Sequence, residues 1–421
     1  MCRRNMEKLY IQGGQKLHGS VEIVTAKNAL LPILAGSIMN GKSVTIHKLC
    51  LFTDVEYMIE ILKTLGCKVM QSEDDLYIDN SVASIYALPE EYTKKIRSSI
   101  FMLGPLLSRF KYAKVAYPGG CNIGNRPIDL HLHGLQCLNV KIQEKYGYII
   151  CDGSKMRASD VHLDFPSVGA TENLMMASVY LNGTTRLHNV AREPEIIDLQ
   201  NFLNAMGAKI SGAGGDTITI EGVKELHECE YTPISDRIVT GTYMIACAMA
   251  GGKIELCNTQ KNHNLALISK LKNVGVNIEE NGDRLIISND MRSDSIGSIE
   301  TQPYPGFPTD LQNQILTMAT ICNGTSVITE NLFETRFKVC TELSKMGADI
   351  TIKDRMAVVK GVDKLYGTHV CAGDLRGGAS LVLAGVVADG VTEVEEIHHI
   401  DRGYLSIEND LRKLNVDIVR K

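Results

Sequence analysis

The stretch Ala205-Met-Gly-Ala-Lys-Ile210 decides the fold, because its pattern recurs along the chain at intervals of about 70 residues. Each copy reads as the end of an amphipathic helix, then Gly or Asn, then a strand. Gly and Asn are the residues that most readily take the left-handed conformation that ends a helix. The other copies are Thr64-Leu-Gly-Cys-Lys-Val69, Cys137-Leu-Asn-Val-Lys-Ile142, Asn273-Val-Gly-Val-Asn-Ile278, Lys345-Met-Gly-Ala-Asp-Ile350 and Lys413-Leu-Asn-Val-Asp-Ile418.

Each repeat also contains a helix that is apolar almost all round, and such helices are buried. Most of them end at a glycine that precedes a β-branched strand, as in Asn323-Gly-Thr-Ser-Val-Ile328. Repeats of this kind predict an α/β fold of two lobes, each with three repeats, with helices inside and sheets outside. The apolar stretches span residues 29–39, 99–107, 174–181, 242–250, 315–322 and 379–387.

The composition excludes several classes of protein. A formal net charge of -5 over 421 residues argues against a general nucleic-acid binder, which is normally basic. The 12 cysteines include no C-x-x-C pair and predict reduced intracellular thiols rather than a disulfide framework or a zinc site. The start of the chain lacks the apolar core of a signal peptide, and the longest apolar stretches fall short of the ~20 residues of a membrane helix. We therefore expect a soluble cytoplasmic protein with neither nucleic-acid nor membrane partners.

Polar or charged side chains stand at the start of each apolar helix. Four of the six starts carry a cation, although a cation disfavours a helix N-terminus unless an anion is bound there. If the helices of a lobe are parallel, their N-termini converge, and two facing lobes form an anion-binding cleft. Ordinary helix-start polarity is the alternative for any single residue. The starts carry Lys27-Asn28, Arg97, Thr171-Glu172, Arg237, Asp310 and Asp374 with Arg376.

A lone thiol stands in the glycine-rich stretch Pro118-Gly-Gly-Cys-Asn-Ile-Gly-Asn-Arg126. A structural cysteine behaves as a small hydrophobe and is usually buried. Cys121 instead lies among glycines and close to Arg126, a setting that favours an accessible thiolate. The stretch therefore predicts a chemically reactive cysteine.

Long motifs stand in a fixed order along the chain. They are Ala26-Lys-Asn-Ala-Leu-Leu-Pro-Ile-Leu34, Pro118-Gly-Gly-Cys-Asn-Ile-Gly-Asn-Arg-Pro-Ile-Asp-Leu-His131, Ser167-Val-Gly-Ala-Thr-Glu-Asn173, Ala191-Arg-Glu-Pro-Glu-Ile196, Pro305-Gly-Phe-Pro-Thr-Asp310, Phe333-Glu-Thr-Arg-Phe337, Asp374-Leu-Arg376 and His399-Ile-Asp-Arg-Gly-Tyr404. With these motifs the sequence closely resembles, over essentially its whole length, the UDP-N-acetylglucosamine 1-carboxyvinyltransferase family of enolpyruvyl transferases.

The resemblance implies a fold and a reaction. The fold would be two inside-out α/β barrels of three repeats each, formed by residues 27–234 and by residues 1–26 with 235–421, with the active site in the cleft between them. The reaction would transfer the enolpyruvyl group of phosphoenolpyruvate to the 3-hydroxyl of UDP-N-acetylglucosamine and release phosphate, through a tetrahedral ketal. This is the first committed step of peptidoglycan synthesis, and so serves cell wall biogenesis, cell shape and cell division. No metal or organic cofactor is implied.

The resemblance also implies roles for residues of this sequence. Cys121 would donate a proton to phosphoenolpyruvate or form a covalent adduct with it, which predicts sensitivity to the phosphonate epoxide fosfomycin. Asp310 would act as a base or orient the sugar hydroxyl, and Lys27 and Arg402 would complete the catalytic set. The residues implied for phosphoenolpyruvate are Lys27, Asn28, Arg126, Arg402, Arg376 and Asp374. The residues implied for the UDP-sugar are Arg97, Arg126, Pro127, Ile128, Asp129, Leu130, Phe165, Pro166, Ser167, Val168, Asp310, Leu332 and Arg336.

Other interpretations remain open at this point. A related enolpyruvyl transferase could act on another acceptor, such as a simple uridine nucleotide. A non-catalytic paralogue could sense the UDP-sugar, and a purely structural repeat protein is the third possibility. The pairs His131-Leu-His133 and His398-His399 could suggest a metal, but without a third ligand in register they read as structural residues.

Overall fold

The computed structural model describes residues 7–119 and 128–421. The predictions for Cys121, Arg126 and Pro127 therefore lie outside the described residues. The α-helices are α1 (Lys27–Ser37), α2 (Thr53–Thr64), α3 (Glu90–Thr93), α4 (Leu103–Phe110), α5 (Asp129–Cys137), α6 (Val168–Ser178), α7 (Pro194–Ala205), α8 (Arg237–Ala250), α9 (Leu265–Asn273), α10 (Gln312–Ala319), α11 (Val339–Lys345), α12 (Leu375–Val387) and α13 (Ile407–Lys413). Short 3-10 helices span Ile38–Asn40, Arg97–Met102, Lys261–Asn264, Thr309–Leu311, Arg336–Lys338 and Ile397–Arg402.

Strands alternate with these helices along the described chain. They are β1 (Leu9–Gln12), β2 (Leu17–Glu22), β3 (Ser43–Ile46), β4 (Lys68–Ser72), β5 (Asp75–Asp79), β6 (Tyr112–Ala116), β7 (Lys141–Lys145), β8 (Tyr148–Asp152), β9 (Asp160–His162), β10 (Thr184–His188), β11 (Lys209–Ser211), β12 (Thr217–Glu221), β13 (Cys229–Tyr231), β14 (Gly252–Cys257), β15 (Asn277–Asn281), β16 (Arg284–Asn289), β17 (Ser298–Glu300), β18 (Thr325–Thr329), β19 (Asp349–Lys353), β20 (Met356–Lys360), β21 (His369–Cys371), β22 (Val391–Glu395) and β23 (Asp417–Arg420).

The described residues form two compact units. The middle unit comprises residues 25–119 and 128–234, and the terminal unit comprises residues 7–24 and 235–421. In its described part each unit contains three separate β-sheets together with helices, so the predicted α/β fold class is confirmed. None of the helices within these ranges is long and apolar enough to cross a membrane.

The repeat consists of a strand, a buried helix, a second strand, an outer helix and a hairpin. In the repeat from β9 to β12 the sheet order is β11-β12-β10-β9, with β9 parallel to β10 and the other neighbours antiparallel. The parallel pair requires a crossover connection, which α6 provides. The other four-stranded sheets have the corresponding orders β13-β3-β5-β4, β15-β16-β14-β2, β17-β18-β20-β19 and β21-β22-β1-β23.

The N-terminal strands complete sheets that the C-terminal half of the chain builds. β1 lies between β22 and β23, antiparallel to both, and β2 pairs in parallel with β14. In the middle unit the sheet β6-β8-β7 has three strands, and the place of its first strand is taken by a parallel bridge between Ala87 and Lys114. The same strand order therefore recurs throughout the described chain.

The six predicted helix ends take the predicted backbone conformation. At each of these positions φ is positive, with values from 66° at Asn139 to 102° at Gly207. The residues are Gly66, Asn139, Gly207, Gly275, Gly347 and Asn415. Because the left-handed conformation reverses the chain within about two residues, each outer helix leads directly into the first strand of its hairpin.

The apolar helices are buried as predicted, and their polar first turns are buried with them. In α12 every residue except the last, Val387, is buried, and in α1 every residue except Asn28 is buried. Asn173, in α6, is fully buried, accepts a hydrogen bond from the backbone N–H of Gly104 at 2.8 Å and donates one to the carbonyl of Ile100 at 3.0 Å. A Cβ added at Gly104 would lie 2.4 Å from the Asn173 carbonyl oxygen. Close contact between α4 and α6 therefore requires glycine at residue 104.

Glu172 is a buried carboxylic acid in the middle unit. It is 1% exposed, and neither carboxyl oxygen has a hydrogen-bond partner among the described residues. Burial raises the pKa of Glu172 well above its ordinary value, and the nearby carboxylates of Glu195 and Glu193 raise it further. A group whose pKa is raised by folding stabilises the fold while it is protonated, and this contribution is lost as the pH rises through the folded-state pKa.

We expect Glu172→Gln to remove this dependence of stability on pH, because the amide has the shape of the protonated acid and cannot ionise. The melting temperatures of variant and parent should agree near about pH 5, and the variant should melt about 3–5 °C higher near about pH 9. Thermal unfolding followed by circular dichroism at both pH values measures the difference. Glu221→Gln, at an exposed position of β12, is the matched control. A melting difference that is the same at both pH values would contradict a protonated Glu172.

Candidate active site

In the terminal unit, two arginines converge on one predicted carboxylate. Asp310 lies in the 3-10 turn that leads into α10, and its two oxygens accept hydrogen bonds from Arg336 Nη2 at 2.7 Å and Arg376 Nη2 at 3.0 Å. Both arginine side chains are 3% exposed, whereas the Asp310 side chain is 27% exposed. Of these three side chains, the Asp310 carboxylate is therefore the most accessible to solvent, and two buried guanidinium groups fix its position.

The charge of Arg376 is stabilised by its neighbours. Burial alone would lower the pKa of the Arg376 guanidinium, but Asp310, Tyr404 and Asp236 act against burial, and the net effect raises that pKa above its ordinary value. The guanidinium also lies 5.7 Å from the centre of the Tyr404 ring. A buried charge is tolerated only when it is paired in this way. Orientation of Asp310 therefore follows from interactions that the fold itself requires.

Asp374 and Arg402 lie near this group. Asp374 caps α12, since Oδ1 accepts from the backbone N–H groups of Arg376 and Gly377 at 3.0 Å each, and the same oxygen lies 4.0 Å from Arg336 Nη1. Arg402 ends the 3-10 helix Ile397–Arg402, which packs against α12. The pKa of His399 is lowered by burial, by His398 and by Arg402, while Glu396 and Asp374 partly oppose the shift. Arg402 and Asp374 thus both lie within electrostatic reach of one imidazole.

Glu330 holds the loop beside Asp310, although it is not among the residues predicted from the sequence. It is 1% exposed, and Oε1 accepts from the backbone N–H groups of Leu332 at 2.7 Å and Phe333 at 3.0 Å. Oε2 accepts from the hydroxyl of Thr309 at 2.9 Å. Glu330 therefore connects the loop of Leu332 to the residue before Asp310. A carboxylate directly after an apolar strand, in Val327-Ile-Thr-Glu330, is the signal that could have indicated it.

In the middle unit, the predicted lysine is paired with an acid. Lys27 opens α1, is 9% exposed, and its Nζ lies 3.5 Å from Oδ2 of Asp54 in the first turn of α2. Asp54 is 5% exposed and is also not among the predicted residues. Asn28, the next residue of α1, is half-buried. The pair neutralises a buried ammonium group where an anion would otherwise be needed.

In the middle unit, the described residues predicted for the UDP-sugar lie at three neighbouring helix starts. Arg97 begins the 3-10 helix Arg97–Met102, and Asp129 begins α5 between the buried Ile128 and the half-buried Leu130. A Cβ added at Gly169 would lie 3.0 Å from the rings of both His131 and Phe101. The starts of this 3-10 helix, α5 and α6 are therefore packed together.

The segment before α6 carries the remaining predicted residues of this unit. Ser167 is the N-cap of α6, and its hydroxyl accepts from the backbone N–H of Ala170 at 3.4 Å. Phe165 is 45% exposed, and Pro166 and Val168 are half-buried. An exposed aromatic ring beside a capped helix start offers both an apolar surface and backbone N–H donors to a ligand.

The histidine pairs differ in their surroundings. His131 is 7% exposed, and its Nδ1 lies 2.8 Å from the side-chain amide nitrogen of Asn173, so it belongs to the buried network of the middle unit. His398 and His399 stack with ring centres 4.1 Å apart in the terminal unit. Contrary to the sequence interpretation, a third side chain with a ligand atom, Glu396, lies beside this second pair.

Comparison with known proteins places this geometry in a family. The family model described as EPSP synthase (3-phosphoshikimate 1-carboxyvinyltransferase) matches residues 11–411. A UDP-N-acetylglucosamine 1-carboxyvinyltransferase 2 from Caldanaerobacter subterraneus subsp. tengcongensis is 51% identical over 415 residues, covering 99% of this chain and 100% of the relative. A relative of the same name from Clostridium tetani is 46% identical over 417 residues, with 99% and 100% of the two chains covered.

Solved structures share the fold. The enolpyruvyl transferase NikO from Streptomyces tendae superposes with a TM-score of 0.88 at 22% identity, over 99% of each chain. EPSP synthase from Acinetobacter baumannii superposes with a TM-score of 0.77 at 15% identity, over 99% of this chain and 100% of that chain. These identities are low enough that the two structures bear on the fold alone. The family match over residues 11–411 and the 51% identity to a full-length relative show that this chain belongs to the UDP-N-acetylglucosamine 1-carboxyvinyltransferases, a family of enolpyruvyl transferases.

Proposed function

We propose that this protein transfers the enolpyruvyl group of phosphoenolpyruvate to the 3-hydroxyl of UDP-N-acetylglucosamine and releases phosphate. The observation that carries the proposal is the carboxylate of Asp310, reached by solvent and held by the buried Arg336 and Arg376. Such a group can accept the proton of a sugar hydroxyl, or orient that hydroxyl, without losing its own position. The 51% identity to a relative that carries this activity in its name supports the choice of acceptor.

Cationic side chains would hold phosphoenolpyruvate. Lys27 and Arg402 are the principal candidates, together with Arg126, because ammonium and guanidinium groups match phosphate and carboxylate oxygens. Asn28 would add an amide donor. Arg376 and Asp374 would act mainly through the charge and the helix cap that they contribute near Arg402. Displacement of Asp54 from Lys27 by a phosphate oxygen would keep the buried ammonium group paired throughout.

The UDP-sugar would be recognised in two parts. The uridine end would meet Arg126, Pro127, Ile128, Asp129 and Leu130, where the Asp129 carboxylate can accept from the uracil imide. Phe165, Pro166, Ser167 and Val168 would lie along the nucleotide, with the capped start of α6 and Arg97 near its phosphates. Leu332, Arg336 and Asp310 would contact the sugar, with Glu330 fixing the loop of Leu332.

The reaction would proceed by addition and then elimination. In the addition, Cys121 donates a proton to the methylene carbon of phosphoenolpyruvate, and the sugar oxygen, losing its proton toward Asp310, bonds to the adjacent carbon. The product is a tetrahedral ketal that still carries the phosphate. In the elimination, the new methyl group returns a proton to the Cys121 thiolate and the phosphate leaves with the proton held by Asp310, which restores the double bond and both side chains. Cations around the leaving phosphate stabilise the charge that develops on it.

This reaction would form the first committed step of peptidoglycan synthesis. Phosphoenolpyruvate and the nucleotide sugar are small, highly charged molecules, so the proposal places the protein in the cytoplasm. Through cell wall synthesis the activity would bear on cell shape and cell division. The protein would accordingly be a target of fosfomycin, an electrophilic phosphonate that resembles phosphoenolpyruvate.

Phosphate release tests the proposal directly. We expect release of inorganic phosphate when phosphoenolpyruvate and UDP-N-acetylglucosamine are supplied together, and at most a trace when UMP replaces the nucleotide sugar. Asp310→Asn should reduce the turnover number about 100–1,000-fold, because the amide cannot accept the hydroxyl proton. Glu300→Gln, at an exposed position of β17, is the control and should leave the rate unchanged. Phosphate release that occurs with phosphoenolpyruvate and UMP but not with the nucleotide sugar would overturn the proposed activity. Binding of UDP-N-acetylglucosamine without any phosphate release would overturn it as well.

We expect Cys121→Asp to retain turnover and to resist inactivation by fosfomycin, because a carboxyl can donate a proton but does not open the epoxide as a thiolate does. The pH optimum should move to lower pH, since an aspartate carboxyl ordinarily titrates about four to five pH units below a thiol. Steady-state rates over a range of pH, with and without preincubation with fosfomycin, measure both effects. Loss of all turnover in a folded variant would indicate instead that the covalent adduct is obligatory.

We expect Glu330→Gln to lower the turnover number about tenfold with a smaller effect on the KM for the nucleotide sugar. The amide keeps one acceptor oxygen but loses the charge that orders the loop and Thr309 beside Asp310. Glu330→Asp, which restores the charge on a shorter side chain, should recover part of the rate. An unchanged turnover number in Glu330→Gln would show that Glu330 acts on stability alone.

A further inference from the structure

Two groups of potential metal ligands lie in the described part of the terminal unit. One consists of Glu396, His398 and His399, and the other of His369, Glu393 and Glu395. Within each group the ligand atoms all lie within 4.8 Å of one another. Neither group belongs to the residues proposed above for catalysis or substrate binding.

The second group already has a cation. Nζ of Lys8 lies 2.6 Å from Oε1 of Glu393 and is also paired with Glu395. Nε2 of His369 lies 3.0 Å from Oε1 of Glu395, the oxygen that is paired with Lys8. A metal ion would have to displace an ammonium group that neutralises both carboxylates, so this group is a poor metal site.

The first group has ligand atoms that the protein itself does not satisfy. The Nδ1 atoms of His398 and His399 are shielded from solvent and have no hydrogen-bond partner among the described residues. His398 Nδ1 lies 3.3 Å from Oε2 of Glu396, in a geometry that makes no hydrogen bond. Two ligands bound at 2.0–2.2 Å in tetrahedral geometry lie about 3.3–3.6 Å apart. The separation of this pair therefore matches that of two zinc ligands.

The backbone brings the third ligand to the histidines. Glu396 has φ of 57°, a left-handed conformation that is uncommon for glutamate and costs on the order of 1 kcal/mol. Its carbonyl accepts from the backbone N–H of His399 at 3.1 Å, which closes the turn that begins the helix Ile397–Arg402. The histidine rings stack at an angle of 36° in this turn. Three side chains from four consecutive residues are thus collected on one turn.

We propose that Glu396, His398 and His399 bind Zn²⁺ in a three-ligand site whose fourth position is left for water. Two imidazoles with one carboxylate form a donor set that suits Zn²⁺, whereas Ca²⁺ and Mg²⁺ prefer sets made of oxygen. The donor set and the shielded nitrogens carry the proposal, which goes beyond the proposed enzymatic function and does not depend on it.

Direct titration tests the site without any measurement of turnover. Metal-free full-length protein is titrated with ZnCl₂ by isothermal calorimetry, and the same protein is loaded with Co²⁺ for its visible spectrum. We expect saturable Zn²⁺ binding that weakens in both Glu396→Gln and His398→Gln by more than the roughly 10–100-fold typical of losing an outer-shell partner. The Co²⁺ form should show the intense visible bands of tetrahedral coordination by nitrogen and oxygen, since the ligands include no thiolate.

His369→Gln is the matched control, since it removes a histidine of the other group and should leave Zn²⁺ affinity unchanged. Glu396 is exposed, so its substitution tests the site with little risk to folding, and a melting curve of each variant verifies this. Zn²⁺ affinity that is equal in parent, Glu396→Gln and His398→Gln would overturn the proposal. A sulfur-to-cobalt charge-transfer band that persists in both variants would do so as well, because the metal would then be held by cysteines.

Discussion

A helix that is apolar on every side has to be covered on every side, and both units are built around this constraint. The six helices have few residues in contact with solvent, as in α8, where all but the last two of fourteen residues are buried. Sheets and outer helices supply the cover. The strand order of each sheet follows from this arrangement. The strands that precede and follow the buried helix along the chain run parallel to each other, because the helix is their crossover connection, and the hairpin adds strands that pair antiparallel.

Covering these helices also buries their polar first turns, and the two units accommodate these polar groups in different ways. In the middle unit the groups are mainly neutral or singly paired, as with Asn173 between backbone groups and Lys27 beside Asp54. In the terminal unit they include charges of both signs, since Arg376 of α12 pairs with Asp310 before α10, and Arg336 from the 3-10 helix before α11 pairs with the same carboxylate. Removal of one member of such a buried group leaves the others uncompensated, which typically costs about 3–5 kcal/mol. Structural and functional constraints therefore act on the same side chains.

The same packing leaves a few groups that the proposed reaction does not use. Burial, together with two other acids nearby, raises the pKa of Glu172. The free energy of unfolding of the middle unit therefore depends on the protonation of Glu172. Glu396 and the His398-His399 pair form a cluster on the turn that ends at Arg402, whereas the acids around Lys8 and His369 are already paired. The two clusters have similar composition but differ in their pairing, because Lys8, next to β1, contacts the carboxylates of the second cluster.

Local features of the sequence determined the repeat, the helix ends and the burial of the apolar helices. The left-handed conformation depends on one residue and its neighbours, so Gly207 and Asn139 could be recognised from the chain alone. Apolar periodicity likewise belongs to a single helix. The residues that resemblance singled out, such as Asp310 and Lys27, could be named because they stand inside long motifs, and their roles stay predictions.

Only the tertiary structure decided which side chains meet. Arg336 and Arg376 lie 26 and 66 residues from Asp310 along the chain, and Asp54 and Glu330 have no motif that connects them to their partners. Glu396 could not be assigned to the histidines next to it, because their contact depends on one unusual backbone angle. Burial made these contacts necessary, since a charge removed from water must find a partner in three dimensions, wherever along the chain that partner stands.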